Sequence, residues 1–163
     1  MAEYFEGIGK VSYEGPQLKN PLAFKFYDPK AIVAGRTMRE QLKFASSFWH
    51  TFCSEGGDMF GAGTRDVSFG GSTPMEVAKN RIYAAFEFMS KLGIEYFCFH
   101  DRDIAPEGES LAEFWANLDE VVPLIKEQMK KTGIKLLWGT ANLFRNPRYV
   151  HGAGTAASAD VYA

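Results

Sequence analysis

The chain has 163 residues, of which 46% are hydrophobic and 15% aromatic, and its formal net charge is −2. This composition is typical of a single globular domain and argues against disorder. Charges of both signs are interspersed, so the sequence lacks the basic stripe of a nucleic-acid-binding protein. No segment is long and apolar enough to cross a membrane, and the first residues do not form a secretion signal. We therefore expect a cytoplasmic protein with no nucleic acid or membrane as a partner.

Residues 1–35 are predicted to form an irregular amino-terminal arm. Turn-forming residues occur at Tyr13–Pro16 and Asn20–Pro21, and the aromatic residues that follow indicate an arm lying on a larger surface, either of its own chain or of a partner. Residues 36–163 are predicted to form the rest of the fold. Their first segment, from about Met38 to Phe48, has an amphipathic pattern.

A helix start is predicted at Thr73–Glu76, where a capping hydroxyl is followed by a proline and, three residues after the cap, by a glutamate. Apolar residues then recur at helical spacing until Gly93, which is expected to end the helix. The β-branched and aromatic residues from Ile94 to Phe99 indicate a strand. Together these segments predict one helix-to-strand unit.

The same order of signals is repeated further along the chain. Ser110–Glu113 predicts a second capping box, Pro123 is expected to kink or split the helix, and Gly133 is expected to end it. Ile134–Trp138 is the next predicted strand, again expected to be buried. The apolar stripe of this second helix comprises Leu111, Phe114, Trp115, Leu118, Val121, Val122, Ile125 and Met129.

Alternating helices and buried strands predict an α/β fold with a parallel sheet, either a closed barrel or a doubly wound sheet. A closed TIM (β/α)8 barrel needs eight such units and typically about 250 residues. The last residues, 158–163, have the pattern of a helix start. We therefore expect the amino-terminal portion, about half, of a TIM barrel, and a chain that is a fragment.

Polar residues gather where the first predicted strand ends, at His100, Asp101 and Asp103. In a barrel of parallel strands this is the face at which side chains converge on a substrate. An imidazole transfers protons near neutral pH when a partner fixes which ring nitrogen faces the substrate, and Asp103 could curl back to do so. Asp101 is expected to point elsewhere. The alternative is that His100 only caps the strand and both carboxylates are solvated, and these residues alone leave both interpretations open.

Two other patterns are not interpreted as binding sites: the glycine-rich loop is expected to serve chain conformation, and two histidines are expected to be structural or solvated. The glycine-rich loop at 56–63 lacks the Lys and Ser/Thr of a phosphate-binding loop. His50 and His151 have no partner at metal-ligand spacing.

Four motifs, taken together and in order, resemble the D-xylose isomerase family, also called glucose isomerases. They are Phe48–Phe52, Gly57–Gly61, Tyr96–Asp103 and Leu136–Phe144. The segment from Tyr13 to Phe24 is similar to the opening of the subgroup with the longer amino terminus. The resemblance covers essentially the whole chain and is to the amino-terminal part of the family only.

This resemblance implies a metal-dependent aldose–ketose isomerase that interconverts D-xylose and D-xylulose, and also D-glucose and D-fructose, as a homotetramer of TIM barrels. In the family, a His/Asp pair assists opening of the cyclic sugar, and a hydride shift follows with two divalent cations (Mg, Mn or Co) polarising the sugar oxygens. The family's metal ligands lie on later strands. We therefore expect them beyond residue 163, expect no metal site in this chain, and expect the fragment alone to be inactive.

The resemblance also assigns residues. His100 matches the histidine that promotes ring opening, and Asp103 matches the aspartate that orients it. Five further residues match positions at the sugar: two aromatic residues of the pocket wall, one contributed to a neighbouring subunit's site, and two near the far end of the sugar. These are, in that order, Trp49 and Phe144, Phe60, and Trp138 and Thr140. Each aromatic residue could instead belong to the core, and Asn142 could tie down its own loop.

Two rival functions remain. The chain could form a non-catalytic half-barrel that binds sugar or assists assembly, with its open sheet edges covered by a partner. Another metal-dependent sugar isomerase or epimerase barrel is the third possibility, but it would lack the tryptophan and glycine-loop motifs.

Overall fold

The computed structural model describes residues 3–144 and 146–162 and shows a mixed α/β fold with a parallel sheet. Three strands form that sheet in the order β3-β4-β5, and β1 and β2 form a small antiparallel pair. The elements are β1 Ile32–Val33, β2 Arg36–Thr37, α1 Met38–Gln41, β3 Ala45–Ser47, α2 Phe48–Thr51, α3 Pro74–Leu92, β4 Tyr96–His100, α4 Asp101–Ile104, α5 Leu111–Thr132, β5 Lys135–Thr140, a 3-10 turn Pro147–Tyr149 and α6 Ala159–Tyr162. Within the described ranges, we find no helix that could span a membrane.

The long helix α3 is confirmed with both of its predicted ends. The Thr73 hydroxyl accepts from the Glu76 backbone N–H at 3.2 Å, and the Glu76 carboxylate accepts from the Thr73 N–H at 3.1 Å. Gly93 closes the helix with a left-handed backbone, φ +71°, which a residue with a Cβ adopts only under strain. Local hydrogen bonds therefore fix where α3 begins and ends.

The second long helix, α5, differs from its prediction in two respects. Ser110 caps the helix, but the Glu113 carboxylate accepts from the Glu109 N–H, so the reciprocal box does not form. The helix also continues through Pro123 without a break, so of the two expected effects of this proline, a kink or a split, the split does not occur. Proline is tolerated here because the helix packs on the core on both sides of it, through Val121 and Ile125.

Two members of the predicted stripe of α5 lie on the surface. Leu111 and Trp115 are exposed and line a cavity of about 450 Å³ together with Asn142 and Tyr149. The part of α5 that packs on the core begins at Phe114, so Leu111 lies before it and Trp115 lies on another side of the helix.

The amphipathic segment from Met38 to Phe48 is not a single element. Only Met38–Gln41 is helical; Ala45–Ser47 then forms strand β3, and α2 begins at Phe48. Ser46 lies opposite Phe97 in β4 and is buried. Pairing with a strand some fifty residues away supplies backbone hydrogen bonds that a short helix here would forfeit, so tertiary pairing overrides the local pattern.

The core lies between the sheet and helices α3 and α5. Phe97 of β4 is fully buried and its ring centroid is 5.3 Å from that of Phe86 of α3. Ile82, Met89 and Val121 are also fully buried in this cluster. Burying such side chains stabilises a fold by about 1.5–3 kcal/mol each, so β4 is held firmly against α3.

The first part of the chain, residues 3–31, forms no helix or strand apart from an isolated bridge between Tyr13 and Phe24. Its start is tied to α3: the backbone N–H groups of Tyr4 and Phe5 donate to the Glu87 carboxylate at 2.8 and 3.0 Å. This part of the arm therefore lies on its own chain.

Strand β5 is exposed along its whole length, although its sequence predicted a buried strand. One of its edges pairs with β4, and within the described residues no strand pairs with the other. The accessible surface of the chain is 10965 Å², whereas a compact monomer of this mass exposes about 8,100 Å². Part of the surface exposed to solvent is apolar and includes the side chains of Leu136 and Leu137 in β5.

Candidate functional site

The site lies at the carboxyl ends of the three parallel strands. β3 leads directly into Trp49 of α2, β4 ends at His100, and β5 ends at Thr140. The ladder places His100 opposite Thr140. Because parallel strands end at the same edge, residues from three separate segments meet there.

His100 and Asp103 form a tight local unit. One carboxylate oxygen of Asp103, Oδ2, accepts from the backbone N–H of His100 at 2.7 Å and lies 3.1 Å from ring atom Nδ1 of the same residue. The one-turn helix α4 brings Asp103 back to the strand end, where it is only 7% exposed. With Nδ1–H donating to the carboxylate, Nε2 is the ring nitrogen left for a substrate.

Two residues that the sequence analysis did not single out contact the backbone carbonyl of Asp103. The Arg81 guanidinium of α3 donates to the Asp103 carbonyl at 2.9 Å, and the Cys53 thiol lies 3.6 Å from the same oxygen. Burial raises the pKa of the Cys53 thiol to about 11, so this group is neutral. The only sequence signal for Arg81 was a guanidinium next to the apolar stripe of α3.

Three of the five residues that match positions at the sugar lie around the imidazole. The ring centroids of Trp49 and His100 are 4.7 Å apart, and Trp138 lies 5.3 Å from Trp49 and 6.0 Å from His100. Phe144 stands edge-on to His100 at 6.4 Å and is 88% exposed. The structure therefore brings indoles from two strand ends, and a phenyl ring from the loop after β5, to one imidazole.

A β-bulge in β5 decides which face Trp138 occupies. Phe97 pairs with Leu136, but the next residue of β4, Cys98, pairs with Trp138, so Leu137 is the extra residue. Opposed residues of paired strands share a face of the sheet. Without the extra residue, Trp138 would lie opposite Phe99, on the face of the buried phenylalanines; with it, Trp138 lies on the face of His100.

The other two residues that match positions at the sugar, Thr140 and Phe60, lie in different places. Thr140 lies opposite His100 and is exposed. Phe60 is 89% exposed in the glycine-rich loop, where Asp58 accepts from its N–H at 2.8 Å, and it makes no ring contact with the cluster within the described residues. The structure thus does not bring Phe60 to this chain's own site.

Asn142 ties down its own loop, as the alternative interpretation held: its side-chain oxygen accepts from the Phe144 N–H at 3.2 Å. The two histidines interpreted as structural or solvated, His50 and His151, are exposed.

The described residues do not fit a metal ion. Between residues 3–144 and 146–162, no three His, Cys, Asp or Glu side chains lie close enough together to hold one. A hard divalent cation takes about six oxygen ligands, and this edge of the sheet offers two neighbouring carboxylates that are already engaged in hydrogen bonds.

Comparison with known proteins gives a consistent result. No protein-family model matches the sequence. Xylose isomerase from Thermotoga neapolitana is 58% identical over 164 positions, covering 100% of this chain and 37% of that protein. The xylose isomerase of Halalkalibacterium halodurans is 54% identical over 160 positions (98% and 36%), and that of Thermoanaerobacterium thermosaccharolyticum is 52% identical over 164 positions (100% and 37%).

These matches confirm the resemblance that the four motifs indicated, and they are consistent with a resemblance to the amino-terminal part of those proteins. The chain spans about 37% of the length of the curated relatives it matches. Over its whole length, this chain is therefore similar to the xylose isomerases.

Proposed function

We propose that this chain supplies the ring-opening pair and part of the sugar-binding wall of an aldose–ketose isomerase that interconverts D-xylose and D-xylulose, and also D-glucose and D-fructose. The observation that carries the proposal is the His100–Asp103 unit, whose imidazole is oriented by a buried carboxylate and surrounded by three aromatic rings. The similarity to xylose isomerases supports the choice of substrate.

The proposed step is the opening of the cyclic sugar. The anomeric hydroxyl loses its proton, the bond between C1 and the ring oxygen breaks, and the ring oxygen gains a proton. Nε2 of His100 accepts the first proton and donates the second, so the imidazole is unchanged at the end. Asp103 keeps the proton on Nδ1 and stabilises the imidazolium that exists between the two transfers.

The aromatic rings have a separate role. Trp49, Trp138 and Phe144 present apolar faces on which the C–H surface of a sugar packs, and they limit the access of water to the imidazole. Thr140, opposite His100, supplies a hydroxyl near the far end of the sugar. Both effects need the rings to lie at the strand ends.

The same proposal extends to the architecture of the whole protein. The open edge of β5 and the excess accessible surface are what a part of a TIM barrel would show before the neighbouring strands are added. We propose that the complete protein is a cytoplasmic homotetramer, in which the exposed Phe60 reaches the site of a neighbouring subunit. The divalent cations of such an isomerase have no ligand set in the described residues, so no step is assigned to them here.

Replacing His100 with Asn tests the ring-opening role in the polypeptide encoded by the gene that carries this sequence. Turnover of cyclic D-xylose should fall about 100-fold or more, because general acid–base catalysis typically contributes 10²–10⁴. Turnover of 4,5-di-O-methyl-D-xylose, which cannot cyclise, should fall less than about tenfold. Steady-state kcat/KM for both sugars provides the measurement.

His151→Asn is the matched control, since His151 is exposed and lies outside the cluster. It should leave both rates unchanged. Equal losses on the two sugars in His100→Asn would remove the ring-opening role from His100.

A non-catalytic half-barrel that binds sugar or assists assembly is the second candidate, and the uncovered edge of β5 favours it because a partner chain could pair there. Reading the gene past codon 163 separates the two candidates. A continuing frame with carboxylates at further strand ends supports the isomerase, and a stop codon supports the module.

A further inference from the structure

The loop that carries Phe144 is fastened to the strand end of His100 by a carboxylate with no assigned role. Asp101 Oδ1 accepts from the backbone N–H of Asn142 at 2.8 Å and from that of Arg102 at 2.8 Å. Asp101 and Asn142 are 41 residues apart, so the first bond joins α4 to the loop after β5. Asp101 was expected to point away from the imidazole, and its carboxylate is directed to the loop after β5.

A second hydrogen bond carries the connection to the aromatic ring. The Asn142 side-chain oxygen accepts from the Phe144 N–H at 3.2 Å, a short turn typical of Asn in loops. Because the Phe144 ring is 88% exposed, packing contributes little to its position. The backbone hydrogen bonds of the loop therefore set the point from which this ring extends toward His100.

Few other contacts could do this. Beyond the ladder between β4 and β5, the bond from Asn142 to Asp101 is the one hydrogen bond that joins residues 141–144 to another element within the described ranges. It is also charge-assisted and short, which places it among the stronger hydrogen bonds of a protein.

We propose that Asp101 is a positioning residue that sets the gap between the Phe144 ring and the His100 imidazole, and thereby the affinity for sugar. This inference rests on the proposed isomerase function. The one-turn helix α4 then positions two rings: Asp103 orients the His100 imidazole, and Asp101 orients the loop that carries Phe144. Both carboxylates would affect a sugar held against these rings without contacting it.

The competing explanation is that Asp101 only stabilises the first turn of α4 through the Arg102 N–H. That role would leave the Asn142 amide and the position of Phe144 unaffected. Hydrogen exchange at the Asn142 amide distinguishes the two roles, and it requires neither sugar nor turnover.

Asp101→Ala in the gene-encoded polypeptide should raise KM for D-xylose about tenfold while kcat changes less than about threefold, because the loss falls on binding. Exchange of the Asn142 amide should become about tenfold faster or more, since its acceptor is gone. Asp101→Asn keeps an oxygen acceptor but loses the charge, so its amide protection and its affinity should both lie between those of the wild type and those of Asp101→Ala. Asp119→Ala, at an exposed position of α5, is the matched control and should change neither quantity.

Unchanged Asn142 exchange and unchanged KM in Asp101→Ala would overturn the proposal and leave the isomerase function standing. If the wild-type protein does not turn over xylose, the proposed function fails, while the exchange measurement still decides whether Asp101 fastens the loop. If Asp101→Ala does not fold, Asp101→Asn decides: weaker amide protection with higher KM supports the proposal, and wild-type values of both contradict it.

Discussion

Replacing Asp103 with Asn tests whether one shared carboxylate oxygen controls the imidazole. In the native chain, Oδ2 of Asp103 accepts from the backbone N–H of His100 and from its Nδ1–H. An asparagine amide has one oxygen and one NH₂ group. If the NH₂ faced the strand end it would meet the His100 N–H, donor against donor, so the amide oxygen should stay in place. The proton should therefore remain on Nδ1.

The size of the effect follows from the charge that is lost. A hydrogen bond to a charged group contributes about 1.5–3 kcal/mol, and a neutral one about 0.5–1.5 kcal/mol. Losing the charge at the Nδ1 bond thus costs about 1.4 kcal/mol, or tenfold in turnover of cyclic xylose. Asp103→Ala removes both bonds and leaves the His100 N–H unsatisfied at a half-buried strand end, so it should cost about 100-fold or more and lower the free energy of unfolding by about 1–3 kcal/mol.

Two measurements check this ordering. Steady-state kinetics on cyclic xylose give the fold loss for each variant, and ¹⁵N NMR of the His100 ring reports which nitrogen carries the proton. The reasoning is refuted if Asp103→Asn loses as much activity as Asp103→Ala, or if its His100 ring carries the proton on Nε2. Either result would mean that the backbone N–H does not dictate the orientation of the amide.

The remaining predictions concern two groups whose pKa the fold shifts. Burial raises the pKa of the Glu87 carboxyl, but hydrogen bonds from Lys91 and from the Tyr4 and Phe5 backbones outweigh it and leave the pKa below its ordinary 4.5. This stabilisation is therefore present above the unfolded-state pKa and is lost as pH falls through the folded-state pKa, so Glu87→Gln should flatten the acid limb of stability measured by urea unfolding; an unchanged limb would count against the contact. Since burial raises the pKa of Cys53 to about 11, its alkylation by iodoacetamide should be slow near about pH 8 and accelerate toward pH 11, and rapid labelling at the lower pH would contradict its burial.

Features set by neighbouring residues could be predicted from the sequence. The start of α3 at Thr73 and its end at Gly93 depend on hydrogen bonds and a backbone angle within a few residues. The approach of Asp103 to His100 is also local, because three residues of chain form one turn. Contacts of this kind leave their signal in spacing and residue type, although the catalytic role of the pair stays a prediction.

Features set by distant pairing could not be predicted in the same way. The pattern around Ser46 is compatible with a helix until Phe97 lies beside it as a strand partner. Trp138 reaches the face of His100 only because Leu137 is an extra residue in the ladder, and neither strand shows that shift in its own sequence. The bond from Asp101 to Asn142 likewise depends on how two strand ends meet.

The described residues fix the orientation of the imidazole, but on the side of β5 its surroundings are open to water. Trp49 closes the side of His100 toward β3, but on the side of β5 Trp138 is 41% exposed and Phe144 is 88% exposed. Charges attract one another far more strongly in a water-excluded site than in an open one, because the effective dielectric constant is lower. The side chains of His100 and Asp103 are themselves only 15% and 9% exposed, so their attraction is already partly protected from water and should strengthen further when protein covers the free edge of β5. On this argument, the orientation of the His100 ring is a property of one turn of chain, whereas the exclusion of water also depends on what packs against β5.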